Sequence, residues 1–214
     1  CEAALEPNVV VDTTVQEKNI TFPTDSKLDR RIITYCWRIA RHASVSLRQS
    51  YRRTVPQLMR QQSNREHPKR RPQAVRATKK LRTIAGRLTR ELIRKLPDKI
   101  LLHYAELFMI FQQVLSQERK DPDKIYSRHE PQAYCIAKGK DHKKYEYGTK
   151  ASITMTSTTG IIVGALSFRD NRYDGHTLDE ALEQSERLLG QRPKTATVDR
   201  GYRGRNQVGT TEIF

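Results

Sequence analysis

Two spacings of apolar side chains alternate along the chain. The run NVVVDTTV, residues 8–15, sets β-branched residues side by side and reads as an interior strand. ITFPTD, residues 20–25, turns at Pro23, with Asp25 or Ser26 placed to cap a helix starting there. From Leu28 to about Met59 the apolar positions Ile32, Cys36, Ile39, Ala43, Leu47, Tyr51, Val55 and Leu58 recur every three or four residues, one face of a long helix that Pro56 could kink or end. Residues 61–73, with two prolines and no apolar side chain, read as a connection. A second stripe, Val75, Leu81, Ile84, Leu88, Leu92 and Leu96, is interrupted at Pro97 and resumes from Ile100 to about Glu118. Two antiparallel helices, or three with a break at Pro97, would bury these stripes; a run this long also suits an intermolecular coiled coil.

Beyond Pro122 the period changes to two. In YEYGTKASITMT, residues 145–156, Tyr145, Tyr147, Ala151, Ile153 and Met155 alternate with Glu146, Lys150, Ser152 and Thr154. STTG, residues 157–160, turns the chain, and 161–168 pairs back as a hairpin, with a shorter strand expected within 124–137. Thr177 and Glu180 form a capping-box pattern ahead of an amphipathic helix carrying Leu178, Ala181, Leu182, Leu188 and Leu189 and ending near Gly190. A last strand, TATVD, occupies 195–199. The order predicts a mixed α/β layer interrupted by a long helical stretch.

Charge divides the chain in the same way. Of the 40 Lys and Arg residues, 21 fall in residues 27–96 against three acids, a local charge of +18 in a chain whose total is +16. All the excess positive charge therefore sits in the helical stretch, the distribution of a polyanion-binding module joined to a near-neutral body. The three cysteines are odd in number and widely spaced, which argues against a disulfide framework or a zinc site. With no long apolar run and no leader pattern, the sequence reads as a cytoplasmic protein without a membrane partner.

Asp12 and Asp199 each follow a β-branched apolar run. A helix cap or turn explains either one alone. Together they also suit a pair of strand-borne carboxylates holding a divalent cation, since Mg2+ prefers hard oxygen ligands and two such ions can assist in-line displacement at phosphorus. The polycationic stretch supplies a reason for phosphate to be near.

The motifs VVVDTTVQEKNITFPTD, KIYSRHEPQAYCIAKGKDHKKYEYGTKASI, GIIVGALSFRDNRYDGHTL and VDRGYRG, in that order, resemble bacterial insertion-sequence transposases of the DDE type, in the insertion-sequence-five group. The resemblance runs over essentially the whole chain. It implies an α/β fold with a ribonuclease-H-like core of the retroviral-integrase superfamily, interrupted by a long, basic all-α insert. The expected divisions are 1–25 and 121–214 for the core and 26–120 for the insert. By motif, Asp12 and Asp199 are the first two catalytic, metal-holding acids of a two-metal site for Mg2+ or Mn2+. The third acid, a glutamate on a helix downstream of the second motif, has no counterpart, and Glu212 does not match it. The sequence is thus expected to be truncated at both ends and poor at cutting DNA, acting on transposon ends and target DNA as a homo-oligomer when full length, associated with the bacterial nucleoid. A non-enzymatic basic nucleic-acid-binding protein, or a structure-specific nuclease, would share the charge pattern.

Further candidates surround this pair. Asp174 and His176 lie where a strand gives way to a helix, beside a helix N-terminus able to hold an anion; a turn role for Asp174-Gly175 is equally open. Lys138, Lys140, Lys143 and Lys144 could grip the DNA backbone or simply solvate a hairpin loop. Arg200, Arg203 and Arg205 could clamp a scissile phosphate. In the helical stretch Arg48, Arg52, Arg53, Lys79, Lys80, Arg82 and Arg87 are expected to face solvent or DNA.

Overall fold

The computed structural model describes residues 6–118, 120–140 and 143–214, without the side chains of residues 138–140 and 143. The chain forms two compact units, residues 20–131 and residues 1–19 with 132–214.

The first unit is helical: α1 (Asp25–His42), α2 (Thr54–Ser63), α3 (Arg71–Lys95), α4 (Asp98–His103) and α5 (Ala105–Ser116). The expected single helix from Leu28 to Met59 is instead two. Its break has a backbone cause: Ser44 and Tyr51 both take positive φ, 53° and 56°, which no helix accommodates. Pro56 falls in the first turn of α2, where its missing N–H costs nothing. Pro97 ends α3 as expected. The cap of α1 is Thr24, whose hydroxyl accepts the N–H of Lys27, rather than Asp25 or Ser26.

The periodic stripes meet inside this unit. Leu28, Ile32, Ile33, Cys36 and Ile39 pack with Leu81, Ile84, Leu88 and Leu92 and with Phe108, Phe111 and Val114, all buried. Val75 is exposed, its expected place in the core taken by Ala74 and Ala77. Burial pushes the Cys36 thiol up to about 12, against a weak contact with the Thr89 hydroxyl. Asp29 is also buried, and desolvation raises its carboxyl to about 7 although the Arg82 guanidinium draws it down.

The second unit holds β1 (Asn8–Glu17), β2 (Tyr134–Lys140), β3 (Lys143–Thr156), β4 (Ile162–Phe168), α6 (Leu178–Leu189), β5 (Thr195–Thr197), β6 (Gln207–Val208) and β7 (Thr211–Ile213). The seven strands form one mixed sheet in the order β2-β3-β1-β5-β7-β6, with β4 also on β3. β1 is interior, antiparallel to β3 and parallel to β5. The β3–β4 hairpin forms as the pattern predicts, and Gly190, in the left-handed region at φ 77°, ends α6.

One expectation fails in this unit, and the structure shows the faces of β3 that the pattern left open. The Thr177–Glu180 capping box is not made: the Thr177 hydroxyl donates to the Asp174 carbonyl at 2.7 Å, and Glu180 accepts from Arg172 at 2.6 Å. The alternation of β3 also buries its polar side, since Ser152, Thr154 and Thr156 are covered while Met155 and Tyr145 are exposed. Small hydroxyls let α6 approach closely there; a Cβ on Gly164 would stand 3.2 Å from the Ser185 hydroxyl of α6 and 3.3 Å from Thr154 Cβ. The core of this unit is Val9, Val11, Val163, Leu178, Ala181, Leu182, Leu189, Ala196, Tyr202 and Val208, whereas Leu188 is exposed.

Candidate catalytic carboxylates

Asp12 does not end its strand. It lies within β1, opposite Ile153 of β3, and its exposed side chain is on the side of the sheet away from Val9 and Val11. The turn or cap reading of Asp12 is thereby excluded, because both its neighbours stay in the ladder. On the other flank of β1, Val10 pairs with Thr197 of β5. Asp199 lies two residues beyond the end of β5, as Asp12 lies two residues beyond Val10 on β1.

Asp199 is both a cap and an available acid. It precedes the single 3₁₀ turn Arg200–Tyr202, and its Oδ1 accepts the N–H of Gly201 at 2.7 Å. Its other oxygen is not used by that cap. Asp174 opens another 3₁₀ turn, Asp174–His176, just ahead of α6. Its Oδ1 is held by the ammonium of Lys150, from β3, at 2.6 Å. A Cβ placed on Gly201 would lie 2.8 Å from Asp199 Oδ1 and 2.9 Å from Asp174 Oδ2, so these two carboxylates converge on one point that only glycine leaves open.

Tyr202 ties the acids to the core. Its ring is buried, and its hydroxyl, without a hydrogen bond of ordinary geometry, lies near the side chains of Thr13 and Thr177. Burial pushes this phenol up to about 12; the two threonines favour its anion, while the negative charges of Asp174 and Asp12 oppose it. The hydroxyl therefore stands in the field of carboxylates from two separate elements.

The structure brings Asp174 and Asp199 together directly and sets Asp12 on the neighbouring strand. His176 is exposed and packs edge-on against Tyr173, at 5.6 Å between ring centres. Arg200 and Arg203 are exposed beside Asp199, while Arg205 approaches Asp179 at 3.6 Å. Lys144 is exposed, and the side chains of Lys138, Lys140 and Lys143 lie outside the described residues. In the helical unit Arg48, Arg52, Arg53, Lys79, Lys80 and Arg87 are exposed. Arg82 is not free for DNA: its guanidinium donates to the Leu115 and Gln117 carbonyls at 2.9 and 2.5 Å, closing the end of α5. Sequence reasoning missed Lys150 and Tyr202 as members of this neighbourhood. VDRGYRG contained Tyr202 in plain sight, but nothing in the local pattern marks Lys150.

Among the described residues no group of three or more His, Cys, Asp and Glu side chains is arranged as a metal site. The donors present are hard carboxylate oxygens, the kind that suits Mg2+, and each of Asp174 and Asp199 keeps one oxygen clear of its fixed partner.

Residues 121–212 match the family model of the transposase DDE domain. The matched segment contains Asp174 and Asp199 and leaves out Asp12. The match makes this part of the chain similar to that domain. No curated protein and no solved structure matches the chain. No helix is long and apolar enough to cross a membrane among the described residues.

Proposed function

We propose that this chain carries the catalytic region of an insertion-sequence transposase that cleaves and transfers DNA strands with the help of divalent cations. The observation that carries the reading is Asp12 on β1 and Asp199 two residues past the end of the adjacent parallel strand β5, with the Asp174 carboxylate converging on Asp199 at Gly201. Support for a ribonuclease-H-like arrangement comes from the parallel pairing of β1 with β5, reached through α6, beside the antiparallel β1–β3 pair. Asp12 and Asp199 would hold Mg2+ or Mn2+, as a two-ion site, through their free oxygens. Bound there, such ions supply Lewis-acid activation of the attacking water or 3′-hydroxyl and stabilise the leaving oxygen.

The remaining work belongs to the protein. Lys150 fixes the Asp174 carboxylate, so that its second oxygen keeps a constant direction. Arg200 and Arg203, exposed beside Asp199, would grip the reacting phosphate through their planar forks, and Lys144 would hold the backbone. Phosphoryl transfer asks for positioning and charge stabilisation, with no covalent protein intermediate. In this reading Asp12 and Asp199 are two of the three acids, and Glu212 does not match the third. The chain is proposed to bind DNA and cation, and to act as a homo-oligomer on the bacterial nucleoid.

Thermal unfolding with and without Mg2+ or Mn2+ tests the site. The cation raises the melting temperature of the natural chain, and Asp12→Asn with Asp199→Asn removes that response while leaving DNA binding in place. An unchanged response in the double variant would overturn the assignment. DNA binding with no cation response in either protein would leave a non-enzymatic nucleic-acid-binding protein as the better description.

A further inference from the structure

Four guanidinium groups of the helical unit line one concavity. Arg87, Arg90 and Arg94 project from α3, and Arg48 comes from the irregular segment between α1 and α2; Gln49, Tyr51, Glu91 and Lys95 complete the wall of a cavity of about 550 Å³. Positions 87, 90 and 94 share one helix face and span about 10 Å at 1.5 Å per residue. That length matches the axial rise of about three nucleotides of one DNA strand.

The wall facing α3 is built, not incidental. Residues 43–53 leave the helical path at the positive φ of Ser44 and Tyr51, an unusual conformation for a ring-bearing residue. Three contacts hold them: the indole N–H of Trp37 donates to the Ser50 carbonyl at 2.7 Å, the Arg48 N–H to Glu91 Oε1 at 2.7 Å, and the Lys95 ammonium to the Ser46 carbonyl at 2.8 Å. Glu91, the one acid lining the cavity, is used up in this bracing. The Lys95 ammonium and then the Arg48 N–H hold its carboxyl below the ordinary range. Among the described residues Arg48, Arg87, Arg90 and Arg94 have no carboxylate within ion-pairing distance.

A second basic concavity, along α1, differs in this respect. There Lys27 donates to the Phe22 carbonyl, Arg31 to the Thr21 hydroxyl and Arg128 to the Tyr35 hydroxyl, and Arg38 and Arg128 both lie against the Tyr35 ring. Its cations are largely spent on the protein itself. In the α3 concavity Arg87 reaches the Tyr51 hydroxyl at 3.5 Å and Glu91 is the one acid in the wall, so four guanidiniums around a single carboxylate leave a repulsion that a polyanion would relieve.

We infer that this cavity between α3 and residues 48–51 is a seat for the phosphate backbone of duplex DNA, distinct from the carboxylates of the sheet unit. The inference rests on the proposed DNA-acting function and adds to it a place and four residues. Guanidinium forks suit phosphate oxygens, and contacts to backbone alone make the seat tolerant of sequence.

The test is the affinity of the 214-residue chain for a fluorescent 20-base-pair duplex, measured against salt concentration. Each lost phosphate contact lowers the slope of log K on log salt by about 0.9. Arg87→Gln with Arg90→Gln and Arg94→Gln is expected to lower that slope by about 3. The charge-matched triple on α1, Arg30→Gln with Arg38→Gln and Arg41→Gln, is expected to change it by less than about 1. Replacing the three α3 arginines by lysine keeps the slope, and unchanged Trp37 fluorescence shows that the variants remain folded. Equal losses in the two glutamine triples would show diffuse attraction and overturn the seat. So would a natural slope in the α3 triple, while a natural chain that fails to bind duplex at all would overturn the DNA reading with it.

Discussion

The two units bury polar groups in opposite ways. The helical unit turns its guanidiniums outward and keeps an almost wholly apolar interior, with Asp29 and Thr89 among the few buried polar side chains of its helices. The sheet unit buries Ser152, Thr154, Thr156, Thr177, Ser185 and Thr211 and gathers carboxylates at a strand end. The first is organised by hydrophobic stripes and surface charge, which a polyanion needs and a packed interior tolerates. The second gives up apolar packing for fixed direction, which a chemical site requires.

Core truncation shows the difference most strongly. Leu88→Ala, at a site with no exposure, is expected to lower the stability of the helical unit by about 3 to 5 kcal/mol. Trp37, the sole tryptophan, reports that unit alone in urea unfolding. Leu182→Ala in the sheet unit should leave the tryptophan transition unmoved if the units unfold separately.

Asp29 gives the next effect. Its folded pKa of about 7 lies above the unfolded value, so the folded state binds more protons and the stability this group contributes is lost as pH rises from about 4 through 7. Asp29→Asn should remove that slope and stabilise the helical unit at pH 8, by on the order of 4 kcal/mol from the size of the shift. A stability-against-pH curve for the variant parallel to that of the natural chain would show that Asp29 is ionised throughout.

In the sheet unit, Lys150→Met should cost about 1 to 3 kcal/mol, since it leaves the part-buried Asp174 carboxylate without its ammonium; circular dichroism at pH 7 measures it. Gly201→Ala should push the Asp199 and Asp174 oxygens off their fixed partners, costing some stability, and weaken Mn2+ binding severalfold in calorimetric titration. Arg172→Gln, which removes pairs to the exposed Asp170 and Glu180, should change stability by less than about 1 kcal/mol.

The same division separates what the sequence makes legible from what it hides. Periodicity locates the stripes of α1, α3 and α5 because a helix gains its burial locally, residue by residue along one face. It misses the break at 43–53, since Ser44 and Tyr51 carry no glycine or proline signal and their backbone is set by Trp37, Glu91 and Lys95 from elsewhere in the chain. In the sheet unit β1, β3 and β4 are readable, but not which side of β3 is covered, because Ser152 and Thr154 suit the close approach of α6. Asp12 and Asp199 stand out as acids after apolar runs. Lys150 and the convergence at Gly201 are products of tertiary contact, and no spacing announces them.

The central claim is that Asp12 and Asp199, with Asp174 close by, share a divalent cation. Anomalous scattering from a crystal of this chain soaked in Mn2+ measures it directly. The account predicts a peak within about 2.0 to 2.6 Å of carboxylate oxygens of both Asp12 and Asp199. A peak on neither, with the soaked cation bound only elsewhere or nowhere, would contradict it.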